Sequence, residues 1–97
     1  MSVYVVAQGR VENREMLDQY VGKVIPSIQS GGGKILGFTE TPEIVEGEVE
    51  HPRTVILEFE SKEAFRAWYD SAEYQAILPL RLDSTPGTMI VVDGLPG

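Results

Sequence analysis

The alternation of apolar and polar residues along the chain predicts four strands. Val3–Gly9 is short, rich in β-branched and aromatic residues, and ends in a glycine, which is typical of a strand. The same criteria predict three further strands, namely Lys34–Phe38 with an irregular extension through Glu43–Glu50, Arg53–Glu60, and Thr88–Asp93. Gly94–Gly97 is then expected to form a tail.

A helical period of apolar residues separates the first two strands. It begins after Asn13, whose side chain can accept a hydrogen bond from the first turn. It ends at Gly31–Gly33, because glycine reaches left-handed dihedral angles at little cost. Pro26 lies inside this pattern and has no backbone N–H, so we expect a kink or a break near Lys23.

A second helical region lies between the last two strands and is predicted to consist of two pieces. Ser61 is the expected N-cap of the first piece and Ser71 that of the second, which continues until Pro79. The order of elements indicates an α+β, ferredoxin-like βαββαβ fold, with residues 1–97 forming a single domain. Both helical regions would cover one face of a four-stranded antiparallel sheet.

The other face of this sheet has no cover within the chain. In the third strand, Val55 and Leu57 share one side and Ile56 lies on the other, so apolar residues occur on both faces. A sheet that is apolar on both sides needs a second layer, and no further helix is available to supply one. We therefore predict a homodimer in which two sheets pack face to face.

Composition narrows the classes of function. The 97 residues are 42% apolar and 24% charged, as in ordinary globular proteins. The absence of cysteine excludes disulfides, a thiolate nucleophile and thiolate metal sites. A net charge of −7 disfavours binding to nucleic acid and to anionic lipid. Since the sequence has neither a secretory signal nor an apolar run of about 20 residues, we expect a soluble, cytoplasmic protein that contacts no membrane.

Three stretches of the chain carry a resemblance to a known family. They are VYVVAQGRVENREMLDQYVGKVIPSIQSGGGKIL, RTVILEFESKEAFRAWYDSAEYQAILPLR and MIVVDG, which together span Val3 to Gly94. The chain resembles the domain of unknown function 1330 family, most specifically in the block W-Y-x-S-x-E-Y-Q-x-x-L-P-L-R. It departs at Ser71-Ala72, where family members often have Ser-Pro, but alanine is also a good helix residue.

This resemblance implies a place in the dimeric α/β-barrel superfamily, in which ferredoxin-like protomers dimerise through their sheets. The wider superfamily includes cofactor-independent monooxygenases, lactone isomerases, haem-dependent enzymes and stress-response modules. The resemblance therefore leaves the activity open, because a shared fold does not fix a function. It also implies that a pocket lies between the helices and the sheet.

Glu58 and His51 are the candidate catalytic residues. Glu58 points away from Leu57 and Phe59, so it faces the dimer partner if helices cover those two residues. Burial there would raise the pKa of its carboxyl and suit it as a general base, whereas a hydrogen-bonded or exposed acid is the alternative. His51 is the only histidine and can transfer protons near neutral pH, but a polar loop also suits a solvated histidine.

Arg53 and Arg81 are candidates for binding a carboxylate-bearing ligand through bidentate hydrogen bonds. Arg53 begins a strand, and Arg81 follows the segment AILPL. The simpler alternative is pairing within the chain, which has 15 acidic residues against 8 basic ones.

An aromatic group is predicted either to fill the core or to line a pocket. Phe65, Trp68 and Tyr69 share one helical stripe. Tyr69 and Tyr74 carry hydroxyl groups that can reach a ligand, and Tyr20 on the first helix can join them. Burial of one such ring contributes about 2–3 kcal/mol, which is reason enough for a place in the core. The two interpretations overlap where a ring borders a cavity.

No metal or cofactor is expected. Glu46, Glu48 and Glu50 precede His51 at alternate positions, but this is not an established spacing for metal ligands. An acidic edge that discourages the addition of a further strand explains the same residues.

Three functions remain open at this point. The first is a small cofactor-independent enzyme that acts on a hydrophobic carboxylate-type compound, with Arg53 and Arg81 binding the acid group and Glu58 or His51 moving a proton. The second is a non-catalytic module that binds a small molecule. The third is a dimeric structural protein without a ligand pocket.

Overall fold

A four-stranded antiparallel sheet carries helices on one of its faces. In the computed structural model, which describes residues 1–96, the strands are β1 (Val3–Gly9), β2 (Lys34–Thr39), β3 (Arg53–Phe59) and β4 (Gly87–Asp93), and the helices are α1 (Arg14–Ser30), α2 (Lys62–Tyr69) and α3 (Ala72–Ser84). The strand order β2-β3-β1-β4 confirms the predicted ferredoxin-like βαββαβ fold. Gly97, the last residue of the predicted tail, lies outside the described residues. No helix within residues 1–96 is long and apolar enough to cross a membrane.

The register of the sheet divides its residues between the helix-covered face and an open face. Val5 of β1 lies opposite Leu57 of β3, and both side chains are buried beneath the helices. One position along, Val6 lies opposite Ile56 and Ile90, and both isoleucines are exposed. The residues that alternate with the buried ones form the open face, namely Tyr4, Val6, Gln8, Thr54, Ile56, Glu58, Thr88, Ile90 and Val92.

The first helix begins and ends at the predicted signals. The side chain of Asn13 accepts a hydrogen bond from the backbone N–H of Met16 at 3.1 Å. At the C-terminal end, Gly32 has a φ of +83°, and the N–H of Gly33 donates to the carbonyl of Ile28 at 2.9 Å. This turn satisfies a terminal carbonyl of the helix and leads the chain directly into β2.

Pro26 and Pro79 lie inside continuous helices, which corrects two predictions. α1 is not broken near Lys23, and α3 continues well past Pro79. Both prolines are exposed, and the carbonyls that lose a donor belong to the exposed residues Gly22 and Gln75. Because water can reach these carbonyls, each proline costs one hydrogen bond without leaving a buried group unsatisfied.

β2 ends at Thr39, so its predicted extension through Glu43–Glu50 is wrong. Residues 40–52 contain no helix or strand. Gly47 has a φ of +80°, a left-handed conformation that interrupts an extended strand, and the glutamates around it are exposed and of like charge. An acidic loop therefore connects β2 to β3.

Ser61 and Ser71 cap α2 and α3 as predicted. The N–H of Ala64 donates to the Ser61 hydroxyl at 3.0 Å, and the N–H of Tyr74 donates to the Ser71 hydroxyl at 3.1 Å. The two caps divide the second helical region, and aromatic side chains of both helices are buried in the core.

Trp68 connects α2 to α1 inside the core. Its Nε1 donates to the Ser27 hydroxyl at 3.1 Å, and that hydroxyl donates to the carbonyl of Val24 at 2.7 Å. The indole also packs against Tyr74 and Phe59, with ring centroids at 4.2 and 5.4 Å. The predicted core role of Trp68 is thus accompanied by a buried hydrogen bond that fixes the ring.

Replacement of Ser27 by alanine removes the acceptor of the Trp68 N–H. We expect the free energy of unfolding to fall by about 1–3 kcal/mol, because a buried donor is left unsatisfied. Urea denaturation measures the change. Ser30→Ala, which removes an exposed hydroxyl from the same helix, is the matched control and should alter stability by no more than about 0.5 kcal/mol. Equal stability of Ser27→Ala and the wild type would contradict this role of the bond.

Candidate functional site

A cavity of about 350 Å³ lies between α1 and the helix-covered face of the sheet. Its volume falls within the range of about 300–1,000 Å³ that is usual for small-molecule pockets. Most of its wall is apolar and comes from α1 and the sheet, with Trp68 added from α2. The apolar lining residues are Ala7, Leu17, Val21, Val24, Ile25, Ile28, Ile35, Phe38, Val55, Leu57, Trp68 and Met89.

The charged residues of the lining come from one end of the fold. Arg14 begins α1, Arg53 begins β3, Arg81 lies in the last turn of α3, and Glu40 directly follows β2. With Asp18, the lining contains three arginines and two carboxylates. The cavity therefore has an excess of one positive charge, although the whole chain has a net charge of −7.

Arg53 and Arg81 differ from the other three arginines of the chain. Arg10, Arg14 and Arg66 each contact a carboxylate within 3.2 Å. Arg53 and Arg81 form no salt bridge within residues 1–96, and the Nε atom of each is buried without a hydrogen-bond partner. Arg53 and Arg81 therefore do not form the ion pairs within residues 1–96 that were the simpler alternative.

The environment of Arg53 places a desolvated cation against an aromatic ring. Its guanidinium carbon lies 5.0 Å from the centroid of Phe38, which suits a cation–π contact. Burial lowers the pKa of Arg53, and the negative charge of Glu40 opposes this effect. The guanidinium stays protonated at neutral pH, so burial leaves a charge that gains from an anionic partner.

Glu40 and Arg14 form the ion pair at the mouth of the cavity. Nη1 of Arg14 donates to Oε2 of Glu40 at 2.9 Å, and the second guanidinium nitrogen contacts the other carboxylate oxygen. This hydrogen bonding lowers the pKa of Glu40. Glu40 therefore stays ionised and is a weak proton acceptor.

The hydroxyl of Tyr20, which lines the cavity, contacts the hydroxyl of the buried Tyr74. The oxygens of Tyr20 and Tyr74 lie 3.0 Å apart, with ring centroids at 6.4 Å in an edge-on arrangement. Burial raises the pKa of Tyr20, whereas the positive charges of Arg81 and Arg53 oppose the increase. The phenol is therefore a neutral hydrogen-bond donor near the two arginines.

The structure brings some of the predicted ligand-binding residues together. Arg53, Arg81, Tyr20 and Trp68 line the cavity. Tyr74 is fully buried and contacts the site through Tyr20. The remaining member of the predicted group, Tyr69, is half-buried in the aromatic cluster, with its centroid 5.8 Å from that of Phe65, and does not line the cavity.

Neither candidate catalytic residue lines the cavity. Glu58 lies on the open face, opposite Tyr4 and Lys34 on the neighbouring strands, as expected from the burial of its neighbours Leu57 and Phe59. His51 lies in the loop before β3, and its Nδ1 is buried without a hydrogen-bond partner. The catalytic roles of Glu58 and His51 stay predictions. Residues 1–96 contain no cluster of three or more His, Asp or Glu side chains that could hold a metal ion.

Three charged residues that line the cavity, Arg14, Asp18 and Glu40, were not predicted from the sequence. Arg14 and Asp18 are four residues apart and belong to the same helical stripe as the apolar residues Leu17 and Val21. Charged residues at the start of an apolar helical stripe indicate a polar entrance to an apolar cavity. This pattern could have identified Arg14 and Asp18 from the sequence. Glu40 had no such signal, because its contact with Arg14 depends on how β2 ends beneath the start of α1.

Comparisons with known proteins identify the family and the fold. The family model described as domain of unknown function (DUF1330) matches residues 2–95. No functionally curated protein matches the sequence. A protein of unknown function from Rhodopseudomonas palustris has a similar structure, with a TM-score of 0.79 and 16% identity over 99% of this chain and 84% of that one.

Two further structures connect the fold with oxygenases. A Caulobacter crescentus protein proposed to be an antibiotic biosynthesis monooxygenase has a TM-score of 0.68 and 14% identity, over 98% of this chain and 91% of that one. SnoaB, a cofactor-independent oxygenase from Streptomyces nogalater, has a TM-score of 0.68 and 9% identity, over 99% of this chain and 95% of that one. At these identities the similarity establishes a shared fold and not a shared reaction.

Proposed function

This chain belongs to the domain of unknown function 1330 family, and we propose that it binds a small hydrophobic carboxylate in the cavity between α1 and the sheet. The observation that carries the proposal is the pair Arg53 and Arg81, which line one end of an apolar cavity and have no carboxylate partner within residues 1–96. A carboxylate offers about four acceptor positions on two oxygens, which suits two guanidinium groups. The apolar body of the ligand would lie along the wall formed by α1 and the sheet.

The energetics favour this occupant. Half-buried arginines gain from an anion because burial has removed part of their water, and a charge-assisted hydrogen bond contributes about 1.5–3 kcal/mol. Removal of apolar ligand surface from water adds about 25 cal/mol per Å². A neutral apolar molecule would gain only the second contribution, so the site should distinguish an acid from the matching alcohol.

The two arginines can be tested with decanoate and decan-1-ol, which share an alkyl chain. We expect Arg53→Gln and Arg81→Gln each to weaken decanoate binding by about 10- to 100-fold, the equivalent of one charge-assisted contact, and to change decan-1-ol binding much less. The fluorescence of Trp68, the only tryptophan, reports occupancy because its side chain lines the cavity.

Arg10→Gln is the matched control, since Arg10 is exposed, pairs with Glu12 and does not line the cavity. It should bind decanoate as the wild type does. A wild-type protein that gives no response to decanoate, or one that binds the acid and the alcohol equally, would contradict the proposal and favour a structural role.

Catalysis on a bound carboxylate is a second candidate, and the fold shared with SnoaB, a cofactor-independent oxygenase, supports it. Of the two carboxylates in the cavity, Glu40 pairs with Arg14, whereas Asp18 forms no salt bridge within residues 1–96. Asp18, an exposed residue that borders the cavity, is therefore the proton acceptor that we propose.

Deuterium exchange at the acidic carbon of 3-oxodecanoate, followed by NMR, tests this role. If the protein accelerates exchange, Asp18→Asn should remove the acceleration, because the amide cannot accept the proton. Acceleration that survives the substitution would reject Asp18, and the absence of any acceleration would leave binding as the function that this cavity supports.

We also propose that the open face binds a second copy of the chain. Ile56, Ile90 and Val92 share this face and are 37–54% exposed. Three aliphatic side chains on one flat surface favour an apolar partner, and an identical sheet supplies one with matching geometry. The cavity lies on the opposite side of the sheet, so such a dimer would leave its mouth accessible.

Ile90→Glu places a charge at the centre of the proposed contact and should convert a dimer to a monomer in light scattering, because an unpaired carboxylate would be buried. Leu82→Glu is the matched control, since Leu82 is equally exposed but lies on α3. It should leave the dimer intact. A wild-type protein that is monomeric at micromolar concentration would reject the proposed dimer.

A further inference from the structure

The hydroxyl groups of Tyr20 and Tyr74 have two protons to donate but share only one hydrogen bond. Each phenol carries one proton to donate, and the two oxygens share one hydrogen bond at 3.0 Å. One of the two protons is used in that bond, and the other needs a different acceptor. No third polar group within residues 1–96 forms a hydrogen bond with either hydroxyl. The direction of the shared bond therefore decides where the second proton goes.

The surroundings of the two residues decide this direction. Tyr74 is 0% exposed and does not line the cavity, so a proton that it did not give to Tyr20 would be buried without an acceptor. Such an unsatisfied donor is costly. Tyr20 lines the cavity, so a proton on its oxygen can be directed into the space that a ligand would occupy. The arrangement in which Tyr74 donates to Tyr20 leaves neither proton buried without an acceptor.

We propose that Tyr74 donates to Tyr20 and that Tyr20 in turn donates to the head group of the ligand. This inference rests on the proposed carboxylate-binding function and adds a specificity-determining residue to it. Arg53, Arg81 and Tyr20 then supply donors only, so the group of the ligand that they contact must be a hydrogen-bond acceptor. Tyr74 is a positioning residue, because it acts on the ligand through Tyr20.

Electrostatics agree with a common location for the three donors. The charges of Arg81 and Arg53 act on the Tyr20 phenol, and all three side chains line the same cavity. Burial keeps the phenol protonated, so it remains a donor through the neutral and mildly alkaline range. An ionised acid offers two charged acceptor oxygens to the three donors, whereas the corresponding amide offers them one neutral carbonyl oxygen.

The test compares decanoate binding, measured by calorimetry, in Tyr20→Phe, Tyr74→Phe and the control Tyr69→Phe. We expect Tyr20→Phe to weaken binding by about 10-fold, as for the loss of one hydrogen bond to a charged group. Tyr74→Phe should weaken it by no more than about 3-fold, because Tyr20 keeps the proton that it gives to the ligand. Tyr69→Phe removes a hydroxyl outside the cavity and should bind as the wild type does.

The opposite direction of the shared bond gives the opposite result. If Tyr20 donated to Tyr74, Tyr20→Phe would leave decanoate binding unchanged, and Tyr74→Phe would free the Tyr20 proton and strengthen binding. Either outcome would overturn the inference. The proposed function would survive if Arg53→Gln still weakened binding, and a wild-type protein that did not bind decanoate would reject both.

A measurement on the unsubstituted protein covers the case in which a variant fails to fold. In the proton NMR spectrum, the hydroxyl proton of Tyr20 should shift downfield when decanoate saturates the protein, because it then bonds to an anion. Decanamide should produce a smaller shift and weaker binding. A shift confined to the Tyr74 hydroxyl would contradict the inference.

Discussion

The architecture depends on how α1 is held above the sheet. Two buried polar contacts, from Trp68 to Ser27 and from Tyr74 to Tyr20, tie this helix to α2 and α3. Both contacts need exact positions, because a hydrogen bond weakens steeply outside its preferred distance and angle. The two hydrogen bonds hold α1 against its neighbouring helices. Beneath α1, side chains of the sheet such as Ala7 and Val55 are small or β-branched and leave space. The cavity follows from this combination.

The chemistry of the cavity follows from where the charged residues enter it. Arg53, Arg81 and Arg14 come from three different elements that meet at one end of the fold, and only Arg14 has a carboxylate partner there. In a chain of net charge −7, leaving two half-buried arginines without such a partner is unusual, since 15 acidic residues are available. An apolar cavity with uncompensated cations at one end is complementary to a molecule with an apolar body and an anionic end. The structures that share the fold include a cofactor-independent oxygenase, but the proposed binding rests on the side chains of this chain and not on that similarity.

The features of the fold that were predicted correctly are those that depend on residues close together in the sequence. The caps at Asn13, Ser61 and Ser71 and the glycine turn after α1 depend on neighbouring residues and occur where they were expected. The breaks expected from Pro26 and Pro79 do not occur, because the cost of a proline depends on whether water reaches the carbonyl that it leaves unpaired. Arg53 and Arg81 were recognised as a possible pair by their chemistry, but their convergence on one cavity depends on the order of the strands and the packing of α3. The ion pair of Arg14 with Glu40 joins residues 26 positions apart, which no local pattern could indicate.

A crystal structure of the protein with decanoate would show whether Arg53 and Arg81 bind the acid together. We expect the carboxylate at the cationic end of the cavity, within hydrogen-bond distance of both arginines, with the alkyl chain extending beneath α1 toward Trp68. Decanoate bound on the open face, or side chains that close over the cavity and exclude it, would show that the two arginines do not form a carboxylate site.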